Sequence, residues 1–160
     1  MANIDDIADY IIESLLSDGD FEELSNQKLQ KLLFYAEAWS QPILQKSLID
    51  DFADFEAWNH GPINVHIYNR FKQTKSLYSL ITLNDIINPK LSLEKEITTY
   101  IDYILTNYAK LSSMQLEMLC HGEEPWIKAR IRVTNGDSSK IISKESINQY
   151  YGNRWKLLRS

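Results

Sequence analysis

The stretch Lys28-Leu29-Gln30-Lys31-Leu32-Leu33-Phe34-Tyr35-Ala36-Glu37-Ala38-Trp39 constrains the fold more than any other part of the chain. Leu29, Leu32, Leu33 and Ala36 form one helical face, and Phe34, Tyr35, Ala38 and Trp39 cover most of the rest. A helix that is apolar nearly all round must be buried nearly all round. The pattern therefore predicts a central helix, capped by Ser25 and ending before Pro42, with the other elements packed about it. Gln30 and Glu37 mark a narrow polar strip opposite the main face.

Candidates for the surrounding elements follow from periodicity. Ile4, Ile7, Ala8, Ile11, Ile12 and Leu15 repeat at helical spacing behind Asn3, a capping residue, and this first helix should end near Gly19. Ser92 should start another helix; Leu93, Ile97, Tyr100, Ile101, Ile104, Leu105 and Tyr108 give it a sustained stripe and make it the expected longest helix. Ser112 and Gln115 have capping-box spacing ahead of Leu116, Leu119 and Cys120, with Gly122 as the stop. Pro125 suits the first turn of the next helix, which carries Trp126, Ile127 and Ala129. Residues 133–139 read as a surface loop. Ser143 then caps a last helix with Ile147, Tyr150 and Tyr151 inward, ended by Gly152, leaving 153–160 as a basic C-terminal tail anchored by Trp155.

Strand signals are fewer. Residues 55–59 form an aromatic run that stops at Gly61-Pro62, from which a helix with Ile63, Ile67 and Phe71 inward should start. Residues 77–83, rich in aromatic and β-branched side chains, are the natural strand to pair with 55–59, and 84–90 reads as a loop. The expected fold is mainly α, a compact multi-helix domain with a small two- or three-stranded β element. At 160 residues one domain, 1–160, is expected, long enough to bury roughly two-thirds of its extended-chain surface.

The single cysteine, Cys120, has no intramolecular partner, which fits a reducing compartment. No basic segment leads into an apolar one at the N-terminus, and the longest largely apolar stretch, 32–39, is far too short to span a membrane. A cytoplasmic protein without a membrane partner is expected. The net charge of −5 argues against a general nucleic-acid binder. Its distribution is polarised. Asp5, Asp6, Asp9, Glu13, Asp18, Asp20, Glu22 and Glu23 are acidic without a basic residue among them, whereas Lys128, Arg130, Arg132, Lys140, Lys144, Arg154, Lys156 and Arg159 make the C-terminal part mostly basic. Either the two ends compensate each other or the acidic helix steers a basic partner.

Catalytic signals are weak. His60, His66 and His121 are the only imidazoles, and none has a second ligand at metal-site spacing. In His121-Gly122-Glu123-Glu124 the acids suit the positive end of a helix starting at Pro125 better than a metal. There is no phosphate loop, dinucleotide glycine pattern or nucleophile elbow, so no cofactor is expected. Glu56 and His60, with Trp58 shaping a pocket, are the one pair placed for acid–base work. A strand Glu beside a turn His is more simply structural, and the expectation is no enzyme.

Taken together, the 28–39 stretch and Phe55-Glu56-Ala57-Trp58-Asn59-His60-Gly61-Pro62-Ile63 with Tyr68 resemble the Panacea domain, the family of phage-associated GepA-like proteins. The helix following Ser112 and Glu124-Pro125-Trp126-Ile127-Lys128-Ala129-Arg130 resemble that family's second half. The residues carrying the motifs are Leu29, Lys31, Leu32, Tyr35, Ala36, Trp39, Glu56, Trp58, Gly61 and Pro62. One departure follows Trp39, where Ser40-Gln41-Pro42-Ile43-Leu44-Gln45-Lys46-Ser47-Leu48 replaces an expected glycine-containing turn.

The resemblance implies a mainly helical, non-enzymatic antitoxin of a toxin–antitoxin system in a bacterium or prophage. Its partner would be a protein, a toxin encoded by an adjacent gene, neutralised by binding. A proteolysis adaptor that delivers a toxin to a protease and a phage protein that occludes a host defence factor are the alternatives; a nucleic-acid regulator using the basic half ranks below them. The expected partner-binding residues are Asp5, Asp9 and Glu13 as a steering face, and Trp58, Trp126 and Arg130 as anchors.

Overall fold

Every residue of the helix Asn26–Ala38 is buried, including Gln27, Lys28, Gln30, Lys31 and Glu37. The structure, a computed structural model, describes residues 2–19, 21, 23–131 and 140–160. In chain order its helices are α1 (Ile4–Leu16), α2 (Asn26–Ala38), α3 (Ser40–Leu44), α4 (Val65–Phe71), α5 (Lys95–Tyr108), α6 (Ser113–His121), α7 (Glu124–Arg130) and α8 (Lys144–Arg159). The strands β1 (Glu56–Trp58) and β2 (Gly61–Ile63) pair antiparallel between α3 and α4. The protein is thus mainly α with a small β element.

The central position of α2 follows from its sequence. It contacts α1, α3, α5, α6, α8 and β2, and its apolar side chains meet the inner stripes of α1 and α5 in one core. Four expected caps form, whereas the helix expected from Ser92 starts only at Lys95, behind Glu94, which makes no side-chain cap bond. Asn3 Oδ1 accepts from the Asp6 N–H (3.2 Å), Ser25 Oγ from Lys28 (3.0 Å) and Ser143 Oγ from Ser146 (3.0 Å), while Ser112 and Gln115 close a capping box.

The polar strip of α2 does not face solvent. Gln30 exchanges two hydrogen bonds with the Asn64 backbone, accepting from its N–H (2.8 Å) and donating to its carbonyl (3.1 Å). Glu37 accepts from the Leu48 and Ile49 N–H groups (3.0 Å each) and from Ser47 Oγ, with Lys144 Nζ 3.5 Å away. A buried polar group is tolerated when its hydrogen bonds are made, and here those bonds staple two loops to the core. The segment that lacks the expected glycine is one of them: Gln45 ends α3 in the left-handed conformation (φ 61°) that glycine would take most easily.

Four local expectations are corrected. The helix expected from Pro62 starts at Val65, capped by Asn64, and Gly61-Pro62-Ile63 is instead a return strand. Residues 77–83 do not pair with β1; Leu80 bridges Ser25, and the Ser79 and Leu77 carbonyls accept from Asn26 and Gln27 at the start of α2. The outer edge of β1 is taken by residues near 141, with Ala57 donating to Lys140 and Ile142 to Phe55 (2.8 Å each). The longest described helix is α8, with 16 residues against 14 in α5, because it runs through Gly152, and the supposed basic tail is its last two turns. An internal glycine costs a helix about 1 kcal/mol, and the packing of Tyr151 and Trp155 on Trp39 on either side outweighs it. The loop expected at 133–139 lies outside the described residues.

Candidate functional site

The β1–β2 hairpin turns at Asn59 and His60, with Glu56 opposite Ile63, Ala57 opposite Pro62 and Trp58 opposite Gly61. A two-residue turn makes Trp58 and Gly61 a hydrogen-bonded pair, so Ala57 and Pro62 fall at a non-bonded position. Pro62 has no N–H to lose there, and Ala57 sends its own N–H the other way, to Lys140. Gly61 is required twice over. Its φ is +116°, and a Cβ at this position would come 3.0 Å from Lys31 Cε.

Trp58, Trp126 and Arg130 come together on this hairpin. Trp126 Nε1 donates to the Trp58 carbonyl (2.9 Å), and Arg130 donates to the Ala57 carbonyl (2.7 Å) and Asn59 Oδ1 (2.6 Å) while lying over the Trp126 ring. All three are partly buried. Trp126 and Arg130 are therefore clamps that bind α7 to the hairpin, rather than protruding anchors. Trp58, tilted against Tyr68 with ring centroids 5.0 Å apart, presents the aromatic surface they support.

The Glu56–His60 acid–base pair does not form. Glu56 accepts the Trp58 indole N–H (2.9 Å), whereas His60 Nδ1 lies 2.7 Å from Glu117 Oε1 on α6. That oxygen also accepts from Gln27 Nε2 (3.2 Å). Beneath the turn lies Lys31, fully buried, whose Nζ has no hydrogen-bond partner among the described residues. Burial pushes its amine down to about 8, against the opposing influence of Cys120 and Glu117. The resemblance puts Lys31 in the motif but not in this position; a lysine within a helix whose pattern predicts burial on nearly every side is the available signal.

Deeper in the core, Cys120 Sγ–H donates to Tyr35 Oη (3.2 Å), and the Tyr35 and Tyr151 hydroxyls both donate to Glu123 Oε1 (2.6 and 3.0 Å). Burial raises the Glu123 carboxyl, with the two tyrosine hydrogen bonds opposing. Burial also pushes the Cys120 thiol up to about 12, the Tyr35 hydrogen bond opposing, which disfavours the nucleophilic thiolate. Tyr35 stacks on Tyr108 (4.1 Å), whose hydroxyl accepts from Trp39 Nε1 (2.7 Å). Leu29, Lys31, Leu32, Tyr35, Ala36, Trp39, Gly61 and Pro62 are all buried, so most of the motif builds the domain.

The steering face is also revised. Asp9 is only 2% exposed; it pairs with Arg70 and accepts from the Ile87 and Asn88 N–H groups (3.2 and 2.9 Å). Asp5 meets His66 Nε2 (2.7 Å) and Arg70 Nη1 (3.2 Å), and Glu13 alone of the three is exposed. Two of the three carboxylates thus fasten α1 to α4. Among the described residues, no three His, Cys, Asp or Glu side chains gather where they could hold a metal ion. Among the same residues, no helix is long and apolar enough to cross a membrane.

No curated protein and no solved structure matches the chain. A family model described as "Antitoxin SocA-like, Panacea domain" matches residues 29–127, from the first turn of α2 into α7, and so takes in α2, the hairpin with its Lys31 floor, and the Tyr35–Glu123 contact. With that match over more than half its length, the chain belongs to the SocA-like antitoxin family, as a Panacea-domain protein.

Proposed function

We propose that this chain neutralises a cognate toxin, the product of an adjacent gene, by binding it directly in the cytoplasm, and that it performs no chemistry of its own. Family membership carries the reading. The hairpin supports it physically. Trp58 and Tyr68 form a half-buried aromatic surface whose backbone is held from below by α2 and from the side by Trp126 and Arg130. A rigid aromatic platform binds at low ordering cost. The nearby polar groups favour structure over catalysis, since Glu56 is spent on Trp58, His60 on Glu117, and the Cys120 thiol is buried.

The test is co-expression of the neighbouring gene product with and without this protein, scoring growth and a co-purifying complex. Rescue with a stable complex is expected. Rescue through protease-dependent loss of the neighbour would replace direct binding with adaptor delivery, and no rescue at all would remove the toxin reading. In that last case, protection of a phage from a host defence factor is the assay to run.

A further inference from the structure

Glu117 occupies only one of the two ring nitrogens of His60. Nδ1 lies 2.7 Å from Glu117 Oε1, whereas Nε2 has no hydrogen-bond partner among the described residues, and the side chain is 53% exposed. An ionised carboxylate can only accept, so Nδ1 carries the hydrogen of this bond, and in the neutral ring Nε2 is a bare acceptor. Glu117 is itself held. Gln27, 5% exposed at the start of α2, donates to the same oxygen (3.2 Å), and the buried Lys31, one turn further along α2, lies within electrostatic reach of the carboxylate. The Tyr78 ring stands edge-on to the imidazole, with centroids 6.3 Å apart.

An exposed imidazole can satisfy its hydrogen bonds with water, and fixing it costs side-chain entropy. The orientation is useful to a partner, since a polar group ordered in advance lowers the cost of binding. We propose that His60 is a specificity-determining contact of the hairpin, its Nε2 accepting a hydrogen bond from a donor group of the toxin, and that Glu117 is the residue that positions it. The inference rests on the direct-binding reading and deepens it. Trp58 supplies aromatic area that many partners could cover, whereas a partner without a donor opposite His60 would bury the Nε2 acceptor unsatisfied.

The experiment uses the full chain and the purified neighbouring gene product, with His60→Asn, His60→Gln and Glu117→Ala. An Asn amide reaches the place of Nδ1 and can keep the tie to Glu117 but has no atom at Nε2; a Gln amide reaches the place of Nε2. His60→Asn is expected to weaken binding by about tenfold or more at an unchanged thermal midpoint, and His60→Gln to weaken it less. A tie that only holds the turn predicts the reverse order. Glu117→Ala should weaken wild-type binding but change the affinity of the His60→Asn chain by less than about twofold, because it acts through the imidazole. In the free protein, nitrogen NMR should find neutral His60 in the Nδ1–H form, and in the ordinary Nε2–H form once Glu117 is removed. Should Glu117→Ala unfold the chain, His60→Asn and the wild-type spectrum decide alone. Binding by His60→Asn within about twofold of wild type, or an Nε2–H wild-type ring, would overturn the proposal and leave direct binding intact. Absence of wild-type binding would defeat the reading and this contact together. Wild-type binding lost on adding EDTA would make Nε2 a metal ligand and overturn the hydrogen bond.

Discussion

Helices α2 and α8 treat their polar side chains in opposite ways. On α2 every polar group is drawn inward. Gln30 holds Asn64, Glu37 holds Leu48 and Ile49, and Lys28 Nζ donates to the Ala109 carbonyl at 2.6 Å. On the last turns of α8 the arginines, Lys156, Leu157 and Leu158 all remain exposed although Trp155 is anchored on Trp39. A helix surrounded on all sides must satisfy its polar groups internally or lose their hydration uncompensated. A helix packed on one face has no such obligation, and its outer residues are free to serve a partner.

The contrast is broken most severely by cavities at the centre. Leu32→Ala removes a fully buried side chain of α2 and should cost about 2–5 kcal/mol, read from the urea midpoint at unchanged slope. A loss under about 1 kcal/mol would mean that the elements around α2 collapse onto the gap.

Lys31→Met tests the buried amine of α2, which has no acceptor among the described residues. Met approximates the apolar part of the side chain, so at pH 7 the variant should be more stable by about 1–3 kcal/mol. The sign of the pH dependence follows from the lowered value. Between about 8 and the ordinary 10.5 the folded amine has lost its proton while the unfolded one keeps it, so wild-type stability rises with pH across that window. The gap between wild type and Met should therefore narrow from pH 8 to pH 10.5 in paired urea titrations. A constant gap would place the effect in packing rather than charge. If the stabilised variant also fails to protect against the toxin, Lys31 belongs to the binding function as well as to the floor of the hairpin.

On α8 the expected effects are smaller. A Cβ at Gly152 meets nothing within 4 Å, so Gly152→Ala should raise stability by about 0.5–1 kcal/mol, checked by thermal unfolding. Leu158→Ser should change stability by less than about 0.5 kcal/mol. A larger loss would show that the α8 leucines support the core and that the contrast with α2 is one of degree.

Much of the fold was legible in the sequence because it is local or amphipathic. The Asn3, Ser25, Ser112 and Ser143 caps need only a side chain and an N–H two or three residues on. The burial of α2 follows from having apolar residues on nearly every face. Pro62 was misread because Gly-Pro before an amphipathic run is as good a helix start as it is a strand at a non-bonded position, and only pairing with β1 separates them. Gly152 was misread as a stop because the compensating Trp39–Trp155 contact joins residues more than a hundred positions apart. The aromatic and Arg residues of the candidate site were legible as types, but their use as clamps was not, since it depends on how α7 lies against the hairpin.

From residue order alone came a helical chain built round α2, its caps, its polarised charge and the resemblance that the family match over 29–127 confirms. Tertiary structure decided which charges remain available. It consumed Asp5 and Asp9 on Arg70, placed Lys31 under Gly61, and left Arg154 and Arg159 exposed on the last turns of α8. The reason is physical: helix formation and burial are set by neighbours within a turn or two, whereas the state of a charge depends on the groups within a few ångströms of it, and those come from distant parts of the chain.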